Sequence, residues 1–219
     1  MHRPLYNHGL KQVFILVLFS IMSLLITKAQ NNYIPFNESQ GSQNENITLP
    51  QRVLNDNGTE NLEIEYSFPG ATVTSRNVNN IEYSFIHIDG FGKMGIPGQP
   101  AVPMHNDLIL IPENAVAEIT IVETQFIEYP GYLIHPTLEP ALDVEGAPEP
   151  VFKIDEAVYN SNMFYPANIV QIAEKQKIRG MDIAITQIRP VQFNPVTQTL
   201  RVYSKIKYRI DFKGSNKSF

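Results

Sequence analysis

The sequence predicts an all-β fold, an antiparallel β-sandwich with one short helix. Three observations carry that expectation. From about residue 62 onward, short runs of Ile, Val, Tyr and Phe are separated by Pro, Gly and Asn, the texture of many strands joined by turns. In the last run Leu200, Val202, Ile206, Tyr208, Ile210 and Phe212 alternate with Arg201, Lys205, Lys207, Arg209 and Asp211, which describes a strand with one buried and one wet face. No stretch sustains helical periodicity.

Residues 1–29 read as a secretory signal. His2, Arg3 and Lys11 give a basic start, and Val13 to Ile26 form an apolar run shorter than the ~20 residues that span a bilayer. Thr27 and Ala29 are small residues suited to cleavage before Gln30; an uncleaved anchor is the alternative. Residues 30–61 are rich in Asn, Gln, Ser and Glu, with too little apolar surface to offset the entropy of ordering, and are expected to be a flexible polar lead. The sandwich is expected over 62–214 and a tail over 215–219.

Within the sandwich, strands are expected at Leu62–Phe68, Ile81–Ile88, Leu108–Ile111, Glu118–Phe126, Tyr132–Ile134, Ile169–Ala173, Met181–Phe193 and Leu200–Phe212. A short helix is expected around Glu156–Asn162. Asn194-Pro195 with Thr197 supplies turn chemistry, so the last two runs are expected to pair as a hairpin. Pro190 interrupts the first of them or sends it to an edge.

Composition bounds the function. A formal net charge of −5 over 219 residues argues against nucleic acid, whose phosphates require clustered Lys and Arg. The absence of cysteine excludes disulfides, thiolate metal sites and a thiol nucleophile within these residues, and a cysteine-free exported domain fits a bacterial envelope. Beyond the signal the histidines are His87, His105 and His135, at none of the spacings a metal site uses. Hydrolase elbows, phosphate loops and dinucleotide loops are missing, and no metal or cofactor is expected. Glu139, Asp143, Glu145 and Glu149 lie in a Pro-broken segment read as a solvated acidic loop, with calcium binding as the alternative. The stripe Arg201, Lys205, Lys207 and Arg209 is either a docking face for an acidic partner or membrane surface, or a charged face that blocks sheet-to-sheet pairing.

Two segments resemble a known family. The first is the Gly/Pro loop GKMGIPGQPAVP, Gly92 to Pro103, followed by LILIP at Leu108–Pro112 and EITIVETQF ending at Phe126. The second is RGMDIAITQIRPVQFNPVTQTLRVYSKIKYRIDF, Arg179 to Phe212. Together they resemble the propeptides of gingipain-type cysteine peptidases, peptidase family C25, with Gly98, Pro100, Pro103, Pro190, Asn194 and Pro195 at the motif positions and Phe193 where the family often has Tyr. The resemblance implies a jelly-roll-like sandwich that assists folding of a secreted cysteine peptidase and keeps it latent. It also implies that a basic propeptide side chain enters the enzyme's specificity pocket.

The family's precursors continue into a catalytic domain, whereas this chain has no peptidase, so it is expected to be either a piece of a longer precursor or an inhibitor acting in trans. Segment 134–150 contains no Arg or Lys, which leaves Lys153 and Arg179 as the pocket candidates. Arg179-Gly180 is the preferred pair, on the expectation that Arg beside Gly presents itself in extended form. The expected partner is the cognate peptidase domain, with no stable membrane association after signal cleavage. The rival readings are an extracellular adhesion or carbohydrate-binding sandwich and a metal-dependent hydrolase; the absence of Trp weakens the first and the lack of a ligand set the second.

Overall fold

The computed structural model describes residues 32–37, 49–58, 60–93, 95–141, 144, 146 and 150–214, all within one compact unit, Asn32–Phe219. The expected signal segment and tail lie outside the described residues. Strands are β1 (Asn32–Pro35), β2 (Gln51–Asp56), β3 (Asn61–Ser67), β4 (Gly70–Val78), β5 (Ile81–His87), β6 (Gly92–Lys93), β7 (Pro103–Ile111) and β8 (Val116–Pro130), followed by β9 (Val170–Ile178), β10 (Met181–Ile188), β11 (Val191–Asn194) and β12 (Thr199–Lys213). The single helix among the described residues, α1 (Glu156–Tyr159), falls where the sequence places one. None of the described helical segments is long and apolar enough to cross a membrane.

The alternating last strand is the spine of the molecule. One edge of β12 pairs with β8 along its whole length. Its other edge pairs first with β11 at Thr199–Val202 and then with β3, and β2 continues the sheet beyond β3. A second sheet has the order β6-β7-β10-β9 and a third the order β1-β4-β5. Every one of these strand pairings is antiparallel. As the alternation requires, Leu200, Val202, Ile206, Tyr208 and Ile210 are fully buried. They share one core with Leu62, Ile64 and Tyr66 of β3, Ile109 and Ile111 of β7, and Ala184 and Ile188 of β10.

A carboxylate sits between the first two sheets. Asp107 on β7 is 5% exposed, and its Oδ2 accepts hydrogen bonds from the Tyr66 hydroxyl at 2.7 Å and, more loosely, from Tyr208 at 3.5 Å. Arg52 reaches in from exposed β2 to Oδ1 at 2.5 Å, and His105 Nε2 lies 3.7 Å from the same oxygen. Burial, reinforced by the adjacent carboxylate, pushes both tyrosine hydroxyls far above their ordinary value, so they remain donors. The carboxylate thus ties β2, β3, β7 and β12 together at one point.

Three expectations are corrected. The polar lead is ordered at 32–37 and 49–58. Ile34 and Phe36 are buried, the Tyr33 ring lies where a Cβ on Gly70 would stand, and the Tyr129 hydroxyl donates to the Pro35 carbonyl at 2.7 Å. β2 exposes all six residues and is held by backbone pairing and Arg52, so average hydrophobicity does not reveal it. The run Met181–Phe193 breaks at Arg189-Pro190, one of the two outcomes expected of Pro190, but its pairing is corrected: the chain crosses there from the second sheet to the first, and only β11 forms the hairpin with β12. Tyr132–Ile134 is an isolated bridge to Ser84 rather than a strand.

Replacing Asp107 with Ala leaves Arg52 and two buried hydroxyls without their acceptor. It is expected to lower unfolding stability by about 3 kcal/mol, read from urea denaturation, with Arg52→Ala costing less because that side chain is half-exposed.

Candidate functional site

Three irregular segments interlock: 95–103, 132–137 and a strap at 150–155 leading into α1. Gly98 is the crossing point. Its φ is +83°, its N–H donates to the Thr137 carbonyl at 2.8 Å, and its carbonyl accepts from the Asp155 N–H at 2.9 Å. A Cβ here would stand 3.1 Å from the Asp155 nitrogen, so both the backbone angle and the close approach call for glycine. Pro100 bridges Pro136, Ala101 N–H donates to His135 O at 3.0 Å, and Thr137 N–H donates to Gln99 O at 2.8 Å. The motif prolines thereby set the loop on which the strap rests.

The strap is pinned on both sides of Lys153. Downstream, Asp155 caps α1 by accepting from Ala157 N–H at 3.1 Å, and its other oxygen accepts from Gln99 Nε2 at 3.0 Å. The Gln99 bond, with smaller help from the cap, holds the Asp155 carboxyl below its ordinary value. Upstream, the half-buried Phe152 ring packs edge-on against Tyr83 at 5.4 Å and His135 at 5.3 Å. Between these anchors Lys153 is exposed, and among the described residues it has no carboxylate within ion-pair distance. The short helix is expected from the sequence without its cap, although an Asp directly before a helix start is a local signal that could have found Asp155; the roles of Gln99, Phe152 and His135 depend on folding and carried no local signal.

The closing motif reaches the same place. Residues 189–195 are all buried. Asn194 Oδ1 accepts from Val196 and Thr197 N–H at 3.1 and 3.3 Å, building the turn that ends at β12, and Pro195 follows it. The Pro190 carbonyl accepts from Tyr203 N–H at 2.9 Å. Phe193 exchanges two backbone bonds with Tyr165, at 2.7 and 2.8 Å, and the Tyr165 hydroxyl donates to Gln99 Oε1 at 2.6 Å. Burial raises that hydroxyl to about 12, so it stays protonated. Phe193, Tyr165, Gln99 and Asp155 form one relay from the hairpin to the strap.

Arg179-Gly180 lies elsewhere, at the β9–β10 tip. The two residues have φ of +50° and +86° between the paired Ile178 and Met181, the geometry of a two-residue type I′ turn. Arg179 is exposed but is not extended, contrary to expectation, because a tight hairpin needs left-handed angles at both turn positions. The structure therefore does not bring Arg179 and Lys153 onto one loop.

The remaining candidates resolve simply. Arg201 pairs with Glu128, Lys205 with Glu65 and Glu123, Lys207 with Glu63, and Arg209 with Asp211, so the basic stripe is neutralised within its own sheet. His87 contacts Asp89 at 3.0 Å on the surface, while His105 lies beside Asp107 and His135 is buried in the loop cluster. Among the described residues no group of His, Asp and Glu could hold a metal; Asp143, Glu145 and Glu149 lie outside those residues.

The geometry can be set beside known proteins. The C25 propeptide family profile (Propeptide_C25) matches residues 37–218. Gingipain R2 of Porphyromonas gingivalis is 28% identical over 109 residues, 50% of this chain and 15% of that protein. Lys-gingipain HG66 of the same organism is 25% identical over 167 residues, 74% of this chain and 10% of that protein. The chain therefore spans only a small part of the length of these relatives. Among solved structures, one of gingipain K from Porphyromonas gingivalis, described as bearing on zymogenic latency, overlays with a TM-score of 0.64 at 22% identity, covering 77% of this chain and 95% of that one. A complex of Porphyromonas gingivalis RgpB pro- and mature domains overlays at 0.69 and 20% identity, covering 77% and 88%. These likenesses establish the shared fold. With a family match over residues 37–218, the chain belongs to the propeptides of C25 peptidases, the part that is not itself catalytic.

Proposed function

We propose that this propeptide binds its C25 peptidase domain and holds it latent by presenting Lys153 to an acidic specificity pocket. The single observation that carries this reading is the strap. Lys153 is exposed on irregular backbone, while Phe152 on one side and Asp155 on the other are locked to the sandwich. Such a loop gives up little conformational entropy on binding, where each freshly immobilised side chain costs about 0.5–1.5 kcal/mol. Arg179 is the weaker candidate, because a type I′ tip does not fit the extended backbone that a substrate-like contact needs. Export by the segment 1–29 and a role in folding the peptidase complete the proposal, with the cell envelope or its surroundings as the place of action.

The test uses the chain without residues 1–29, mixed with mature domains of gingipain R2 and Lys-gingipain, with peptide hydrolysis as the readout. Stoichiometric inhibition of at least one is expected, and full activity of both at saturating propeptide would overturn the reading. Lys153→Ala is expected to weaken inhibition about 100-fold, equivalent to about 2.7 kcal/mol, whereas Arg179→Ala stays within about threefold; the reverse order would move the contact to the hairpin. Gly98→Ala forces a side chain into a left-handed site against Asp155 and is expected to cost about 2 kcal/mol in thermal unfolding. The same substitution should also weaken inhibition, although the residue cannot reach a partner's pocket through a side chain of its own.

A further inference from the structure

Phe152, the upstream anchor of the strap, rests on a histidine that the proposed contact does not use. His135 is 6% exposed. Its ring stacks on Phe85 at 4.6 Å and 25° and meets Tyr83 and Phe152 edge-on at 5.6 and 5.3 Å. Nδ1 lies 2.6 Å from the Pro136 carbonyl, so in the neutral ring the proton sits on Nδ1 and donates there. The backbone of the same residue donates to Ser84 O and accepts from Ala101 N–H, each at 3.0 Å. One residue thus joins β5, the Gly/Pro loop and the Lys153 strap.

We infer that His135 is a positioning residue for Lys153 and that its protonation releases the strap, making latency sensitive to mild acid; this rests on the reading of Lys153 as the pocket contact. The surroundings are built for a neutral ring. Phe152, Phe85 and Tyr83 offer it no carboxylate. The charges that reach it are Arg76 from β4 and Lys93 from β6, both cations. A π face can attract a cation, but Lys93 Nζ already lies over the Phe85 ring at 5.3 Å from its centroid. The Tyr159 hydroxyl of α1 is spent on the Ile134 carbonyl at 2.6 Å.

Enclosure, with smaller contributions from Arg76 and Lys93, holds the imidazole below its ordinary value, although the Pro136 bond opposes the shift. The sign follows from linkage. Because the folded ring binds its second proton less readily than the unfolded one, the anchor is at full strength above the ordinary value of 6.5 and weakens as pH falls below it.

The experiment compares the wild-type chain with His135→Phe, which fills the aromatic cage without a titratable group, and with Lys93→Ala, which removes an exposed opposing cation. Hydrogen exchange of the chain alone, followed in a peptide covering 150–160, reads the strap directly. Between about pH 7.5 and about pH 5.5, strap exchange in the wild type should rise relative to His135→Phe at the same pH, by at most about tenfold, with Lys93→Ala in between. The inhibition constant against whichever gingipain domain is inhibited should follow the same ratio. A wild-type-to-variant ratio independent of pH in the exchange experiment overturns the inference, and Lys93→Ala supplies the comparison if His135→Phe does not fold. An acid-dependent strap without a matching change in inhibition retains the latch and overturns the assignment of Lys153.

Discussion

The structure depends on a close backbone crossing, Gly98 carbonyl against Asp155 amide, with no room between them for a side chain. Everything at the candidate site hangs from it. The crossing seats Asp155, which both caps α1 and accepts from Gln99; Gln99 in turn receives Tyr165, which is stitched to Phe193. The two sequence blocks that carry the family resemblance, beginning at Gly92 and Arg179, are therefore parts of one device. The Gly/Pro loop supplies the seat, the RPVQFNP hairpin supplies the brace, and the strap between them carries the exposed lysine. Each block is legible by itself as turn chemistry, but their purpose lies in the contact.

Behind that site stands a body arranged to resist deformation. β12 is paired along both edges over most of its length, and its outward cations are matched by glutamates on β3 and β8. Exposed ion pairs contribute only about 0–1 kcal/mol each, so their chief effect here is negative: they consume the charges that would otherwise attract unrelated acidic surfaces. Arg201 is the most constrained, held by Glu128 and lying over both Phe126 and Phe164. Lys153 differs from all of these in having no such partner among the described residues. Arg179 shares that lack of a partner, so what sets Lys153 apart is the strap that holds it, anchored by Phe152 and Asp155.

The fold was legible in the sequence wherever one residue in two reports burial. The alternation in β12 named its buried face correctly, Pro190 marked the strand break, and Asn194-Pro195 marked the turn. The signal failed where a strand is held by something other than its own hydrophobicity. β1 docks through its pairing with β4 and the buried Ile34, with Phe36 just beyond it, in a polar stretch, and β2 through backbone pairing and a single arginine. The site was less legible for a related reason. Lys153 and Arg179 could both be named from residue type, but their rank depends on backbone geometry. Arg-Gly reads equally as a flexible extended segment or as a type I′ tip, and only the pairing of Ile178 with Met181 decides between them.

A segment offered to a peptidase like a substrate must also survive the encounter. Two features of the strap bear on that in the proposed role. Anchors on both sides of Lys153 hold the backbone in one shape, so movement toward a tetrahedral geometry works against Phe152 and Asp155 at once. If the bond after Lys153 did break, the new ends would stay tethered to the sandwich near each other, and confinement of that kind strongly favours re-closure over escape. A free lysine on a mobile loop has neither protection and would be an ordinary substrate. In the proposed role the anchors are what would distinguish an inhibitor from a substrate, and one of the two, the Phe152 cage, contains a histidine. If His135 acts as inferred, the sandwich that holds Lys153 in place at neutral pH carries the point at which that hold is loosened.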